Sequence, residues 1–415
     1  MQKPFVALVG RPNVGKSTLF NRLAGEPLAI VDDTPGTTRD RLLAEAEWNG
    51  RAFHIIDTGG IDPTGGKDPL SVGSADYIEQ IRLGAELAIR EADVVLLLVD
   101  GVSGVTPADK EVAQILRRNQ KIVDGKPFPP VLLVVNKADN ETLRMGAPQF
   151  YELGIGDPHP ISAVHGTGTG DLLDVLVESF QPEEKDTEDD SVKIALVGKP
   201  NVGKSSLLNK LVGEERAIVS PIAGTTRDAV DTKFEFDGIP VTLIDTAGIR
   251  RRGKVEPGVE KYSVIRSMRA IERADVALLM IDATTGISAQ DAHIAGYVLE
   301  ANKSTVVLVN KWDAVEKDSE TMNLYTEVIR RDLNFISYVP ILFISVKTGQ
   351  RVDQVMPLAL KVQEERLARL STAQLNKILQ EAQDAHHATS SSGKSLRIYY
   401  GPQVRSDPPT FLLYC

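Results

Sequence analysis

The chain repeats itself, and no other feature of the sequence limits its fold so tightly. VALVGRPNVGKSTLFNRLAG (6–25) returns as IALVGKPNVGKSSLLNKLVG (194–213), PGTTRD (35–40) as AGTTRD (223–228), and IIDTGGI (55–61) as LIDTAGI (243–249). All three pairs are displaced by the same 188 residues. Low-complexity drift does not hold register over separated motifs, so a domain has been duplicated. Further on, DGVSGVTPAD (100–109) matches DATTGISAQD (282–291), and NKAD (136–139) matches NKWD (310–313), at offsets of 182 and 174. The first copy is thus longer by six and then by eight residues. The eight fit NQKIVDGKPFPP (119–130), read as a turn-rich surface insertion.

Each copy reads as a strand, a glycine-rich loop and a helix, then strands alternating with helices. That order implies two α/β domains, each a mostly parallel sheet with helices on both faces. VVLLLV (94–99) and VLLVV (131–135) are too short to span a bilayer and read as buried parallel strands. The expected organisation is a first domain over 1–180, an acidic linker over 181–191, a second domain over 192–365 and a small α+β domain over 366–415. In the tail, VDQVMPLALKVQEERLARL (352–370) is helical in period, and STAQL (371–375) opens a second helix to about residue 385. HHATSSSGKS (386–395) reads as a loop, and LRIYYG (396–401) and TFLLYC (410–415) as strands around a turn at Pro408 and Pro409. So thin a core is expected of a truncated or docked domain, and the last domain is expected to be incomplete.

A net charge of −10 argues against general affinity for a phosphate backbone. Neither DNA nor a membrane is an expected partner, and a monomer is expected. Cys415 has no second cysteine to pair with, which suits a reducing cytoplasm. The first motif begins within ten residues of Met1, so no targeting leader is expected.

Gly10, Arg11, Pro12, Asn13, Val14, Gly15, Lys16 and Ser17, followed by Thr18, satisfy G-x-x-x-x-G-K-[ST]. Gly198, Lys199, Pro200, Asn201, Val202, Gly203, Lys204 and Ser205, followed by Ser206, do so again. Between a strand and a helix, such a loop turns backbone N–H groups onto phosphates. Lys16 and Lys204 are expected to reach the β- and γ-phosphates, and Ser17 and Ser205 to ligate Mg²⁺. Asp57, Thr58, Gly59, Gly60 and Ile61 end the next apolar strand, and Asp245, Thr246, Ala247, Gly248 and Ile249 match them. An aspartate there can hold the metal, and the N–H of Gly60 or Gly248 can sense a γ-phosphate. Thr38 and Thr226, chosen over Thr37 and Thr225, are expected to close over the metal.

The base follows from NKxD. In Asn136, Lys137, Ala138 and Asp139, and in Asn310, Lys311, Trp312 and Asp313, the final carboxylate can accept from guanine N1–H and N2–H₂. Adenine does not present that pair, so ATP should be rejected. Ser162 with Ala163, and Ser345 with Val346 and Lys347, are the expected backing turns, the valine being the weaker match. Ras-like enzymes place a water-orienting glutamine after D-x-x-G; Ile61 and Ile249 stand there instead. Asn13 and Asn201 are the candidates for supplying another device, with Lys16, Lys204, Thr38, Thr226, Gly60 and Gly248 completing the catalytic set.

Two G-x-P-N-V-G-K-S domains, an acidic linker and this tail resemble the bacterial tandem-domain GTPases of the Der (EngA) family, in the TrmE/Era-like group. The resemblance runs over essentially the whole chain. It implies GTP and GDP as ligands with Mg²⁺, hydrolysis to GDP and phosphate at two sites, and a molecular switch in ribosome biogenesis. The implied partner is the large ribosomal subunit and its RNA. The tail would be KH-like, although it holds no G-x-x-G loop. In related GTPases an asparagine at the position of Asn13 and Asn201 helps hold K⁺ against the phosphates, making K⁺ an expected activator. Arg250, Arg251, Arg252 and Lys254 form a basic cluster expected to meet RNA or a neighbouring domain. The alternative reading is a nucleotide-gated scaffold with one site that binds without significant turnover.

Overall fold

A computed structural model of the chain describes residues 3–25, 43–58, 82, 84–86, 88–123, 125–181, 190–213, 217–219, 231–246, 259–316, 318–385 and 397–415. The acidic stretch 182–189 and the loop 386–395 lie outside them. The chain divides into two compact units, one of 1–188 with 254–266, the other of 189–253 with 267–415.

The first unit contains β1 (Phe5–Val9), β2 (Leu43–Trp48), β3 (Arg51–Asp57), β4 (Val94–Asp100), β5 (Lys121–Val123), β6 (Lys126–Phe128), β7 (Val131–Asn136) and β8 (Pro158–Pro160). Its main sheet runs β2-β3-β1-β4-β7-β8, parallel throughout except for the β2–β3 pair. The period of two is visible in β1. Val6 and Leu8 pack with Leu19 and Phe20 of the helix Lys16–Leu23 and with Leu172 and Leu176 of the helix Thr169–Glu178. Ala7 and Val9 face Val112 and Leu116 of the helix Pro107–Asn119 and Phe150 of a 3₁₀ turn. Burial on both faces accounts for the unbroken apolar run of β4, every residue of which is buried.

The second unit repeats the plan with β9 (Val192–Val197), β10 (Ala217–Val219), β11 (Thr232–Phe236), β12 (Ile239–Ile244), β13 (Val276–Asp282), β14 (Ser304–Asn310) and β15 (Ile341–Phe343). Here the order is β10-β11-β12-β9-β13-β14-β15. In both units an antiparallel hairpin, β2–β3 or β11–β12, turns on a pair of left-handed residues, Asn49 and Gly50 at φ 49° and 75°, and Asp237 and Gly238 at φ 49° and 83°. These are the backbones a two-residue type I′ turn requires.

Two local expectations need correction. The 119–130 insertion holds a two-stranded hairpin, β5 against β6 from Lys121↔Phe128 to Val123↔Lys126. In the tail, the helices Val355–Leu367 and Thr372–Ala385 form as read, the second opened by a reciprocal Ser371–Gln374 box. The named paired strands are β16 (Gln403–Ser406) and β17 (Pro409–Phe411), and the described residues of LRIYYG meet TFLLYC at the bridge Tyr400↔Tyr414. Tyr399 N also donates to Tyr414 O at 2.8 Å, and side chains of the helix take the groups on either side. Ile398 N donates to Gln383 Oε1 at 2.7 Å, and Gly401 N to Asn376 Oδ1 at 2.8 Å. No helix among the described residues is long and apolar enough to cross a membrane.

Candidate functional site

Each phosphate loop leaves the carboxyl end of its sheet's central strand, β1 or β9. Gly10 (φ 151°) passes so near β4 that a Cβ would lie 2.3 Å from Leu98 O, and Gly15 (φ 95°) so near Asn136 that a Cβ would meet Nδ2 at 2.3 Å. Gly198 and Gly203 (φ 134° and 106°) are pressed in the same way against Met280 O at 2.4 Å and Asn310 Nδ2 at 2.3 Å. Only glycine fits these positions. Asn13 and Asn201 carry left-handed backbones at φ 65° and 64°.

Lys16 Nζ donates to the carbonyls of Gly10 at 2.7 Å and Arg11 at 2.9 Å. Lys204 Nζ donates to Gly198 O and, at 2.6 Å, to Lys199 O. Burial pushes Lys16 down to about 8; the Asp57 charge opposes that shift and the Arg11 charge adds to it. A cavity of about 460 Å³ opens here, lined by Pro12, Asn13, Lys16, Ser17, Thr18 and Lys137 among others.

Ser17 Oγ donates to Asp57 Oδ2 at 2.8 Å, and Thr58 Oγ1 to Leu8 O at 2.6 Å. Hydroxyl and carboxylate oxygens converging beside a phosphate loop fit Mg²⁺, which takes hard oxygen ligands and bridges phosphate oxygens. The second copy differs. Asp245 follows β12 in a left-handed backbone, φ 56°; its N–H donates to Asp231 Oδ1 at 2.8 Å, and Thr246 hydrogen-bonds Thr232 at 2.8 Å. Ser205 sits in the first turn of the helix Lys204–Val212, beside exposed Ser206. Thr38, Gly59, Gly60, Ile61, Thr226, Ala247, Gly248 and Ile249 lie outside the described residues, as do Arg250, Arg251, Arg252 and Lys254.

At the base-reading end, Asn136 Nδ2 donates to Val14 O at 2.8 Å while its Oδ1 accepts from Ala163 N at 2.9 Å. One asparagine thereby joins three loops. Asn310 repeats the brace, to Val202 O at 2.7 Å and from Val346 N at 3.0 Å, so the valine in the second backing turn costs nothing in geometry. Ser162 Oγ and Ser345 Oγ each donate to the last residue of the NKxD motif, Asp139 or Asp313, at 2.6 Å. Ala138 is buried, Trp312 packs on Phe343 at 4.5 Å between ring centroids, and Lys347 is exposed.

Three further residues enter the site. Lys137 pairs with Asp100 at 2.7 Å and Lys311 with Asp282 at 2.5 Å. Burial alone would raise both carboxyls, but the lysines and nearby amides outweigh it and hold them below the usual range. Arg22 donates to Ala163 O and Val164 O, tying the first helix to the backing turn. The in-register pair Asp100 and Asp282 was the sequence signal for these contacts; Arg22 left none.

A model of the 50S ribosome-binding GTPase family matches residues 5–137 and 193–311, and one of the KH-domain-like C-terminal region of EngA bacterial GTPases matches 369–415. A GTPase Der of Chloroflexus aggregans is 52% identical over 418 residues, covering 100% of this chain and 90% of that protein. One of Listeria monocytogenes is 50% identical over 415 residues, covering 100% and 91%. Among solved structures, Aquifex aeolicus Era bound to GDP and AlF4⁻ shares 22% identity over 66% of this chain and 88% of its own, with a TM-score of 0.33.

Proposed function

The chain belongs to the GTPase Der family and is a GTP hydrolase; from that premise we propose that both copies turn over and together form a switch in assembly of the large ribosomal subunit, in the cytoplasm. The carrying observation is that each copy separately assembles a buried lysine on loop carbonyls and a serine-braced aspartate. Lys16 holds its third N–H donor in reserve for phosphate oxygen. Asp139 and Asp313 fix the guanine, which places the γ-phosphate over the loop. As water attacks in line, charge grows on the phosphoryl oxygens and meets the loop's N–H groups and lysine. Ser17, Asp57, Ser205 and Asp245, with Thr38 and Thr226, would hold Mg²⁺, which would supply positive charge against the phosphate oxygens. Asn13 lines the cavity with Lys16 and Ser17, which fits a K⁺ ligand adding positive charge there; Asn201 takes that part in the second copy.

One observation favours the scaffold reading, in which one site binds without turnover. Asp57 closes its strand normally, whereas Asp245 is left-handed. Steady-state hydrolysis by Lys16→Ala, Lys204→Ala and the double variant, in K⁺ and in Na⁺ at equal ionic strength, separates the two. Two working sites give residual K⁺-stimulated turnover in each single variant and none in the double. Turnover untouched by Lys204→Ala selects the scaffold, and equal slow rates in both salts remove K⁺ from the mechanism.

A further inference from the structure

Each phosphate loop faces a buried carboxylate that the nucleotide chemistry above leaves unused. Arg11 Nε stands 3.3 Å from Asp109 Oδ1, and Lys199 Nζ 3.7 Å from Asp291 Oδ2, the two aspartate side chains being 1% and 0% exposed. Each aspartate closes a capping box. Asp109 Oδ2 accepts from Thr106 N at 3.0 Å and Oγ1 at 2.7 Å, and Asp291 Oδ2 from Ser288 N at 3.0 Å and Oγ at 2.6 Å. A box needs an acceptor and not a charge. A buried carboxylate is costly unless its charge is used, and in both copies the cation beside it is the second residue of the phosphate loop.

That residue's own carbonyl carries the loop's lysine, Arg11 O receiving Lys16 at 2.9 Å and Lys199 O receiving Lys204 at 2.6 Å. A second anchor reinforces the tie, since Arg11 also donates to Ser103 Oγ and Lys199 to Thr285 Oγ1 at 2.7 Å. The pairs nevertheless stand off, and Arg11 Nε and Asp291 Oδ1 are buried with no hydrogen-bond partner among the described residues. Such unmet polar atoms call for an explanation.

We propose that Asp109 and Asp291 are positioning residues. Their charge holds Arg11 and Lys199, and through these the carbonyls that carry Lys16 and Lys204, in the arrangement that receives the phosphates. The slack in each pair is taken up when the loop fills. The proposal rests on residues 10–17 and 198–205 being phosphate loops.

The test isolates one site at a time. In a chain silenced at the second site by Lys204→Ala, a methylanthraniloyl-GTP titration measures affinity at the first. Asp109→Asn keeps an acceptor for the box and removes the charge; it should weaken binding about tenfold, the scale of coupling between contacting groups. Arg11→Gln should match it, and the double variant should be no weaker than either single one. Asp291→Asn and Lys199→Gln should behave alike in a Lys16→Ala chain. A carboxylate that merely capped its helix would lower the melting temperature and act equally in the Arg11→Gln background. Undiminished affinity in Asp109→Asn, or additive losses, overturns the proposal. If Asp109→Asn gives no cooperative melt, Arg11→Gln decides, and unchanged affinity there is equally fatal. Persistent binding in Lys16→Ala/Lys204→Ala would instead defeat the phosphate-loop reading itself.

Discussion

Lys16 shows how burial sets a residue's working range. Its folded pKa of about 8 lies below the 10.5 of a free lysine. Below about 8 the fold carries a buried ammonium, so the nucleotide-free protein gains stability as pH climbs from there toward 10.5, where the unfolded chain holds the extra proton. Phosphate prefers the charged form. Binding at the first site should therefore take up a proton above pH 8 and weaken as pH rises further. Titration of the Lys204→Ala chain across that range, with calorimetry in two buffers of different ionisation enthalpy, checks it; a flat profile contradicts it. Asp139→Asn should lower GTP affinity at that site by at least about 100-fold, because a donor replaces the acceptor that meets N2–H₂. Xanthosine triphosphate, with a carbonyl at that position, should then bind better than GTP in a competition assay. Asp139 and Asn136 were readable in the sequence because the chemistry demands those groups. For the partnership of Asp100 with Lys137 the in-register match to Asp282 was the one signal, since the contact itself depends on the parallel register that sets Asp100 beside Asn136.

Among elements, the glycine-rich loops are legible in the sequence, and so are the two antiparallel hairpins, whose Asn49-Gly50 and Asp237-Gly238 are turn signals as plain as any. A β-branched residue cannot adopt the φ of 83° at Gly238 without strain. Gly238→Val should cost about 1–2 kcal/mol, seen as a lower urea midpoint for the second domain, with the first unaffected. The LRIYYG segment pairs with TFLLYC at Tyr399 and Tyr400 but forms less strand than its composition suggests. Gln383 and Asn376 claim the N–H groups of Ile398 and Gly401 from a helix outside the segment. In the 119–130 insertion, Pro127 and Pro129 masked a hairpin that turns at Gly125 (φ 75°).

At the scale of the whole molecule, duplication was plain from the common offset of 188 residues, and each copy owns a sheet and a core. The copies part inside one of the shared motifs, NKAD against NKWD. Trp312 lies inside the second NKxD loop, 4.5 Å from Phe343 and edge-on to Tyr325 at 5.2 Å. The chain's other tryptophan, Trp48, is on an edge strand with its indole N–H bonded to Asp174. The protein thus carries an intrinsic optical reporter at one site and is dark at the other. A GDP titration followed by tryptophan emission should count a single ligand where calorimetry counts two, and Lys204→Ala should extinguish the signal that Lys16→Ala leaves intact.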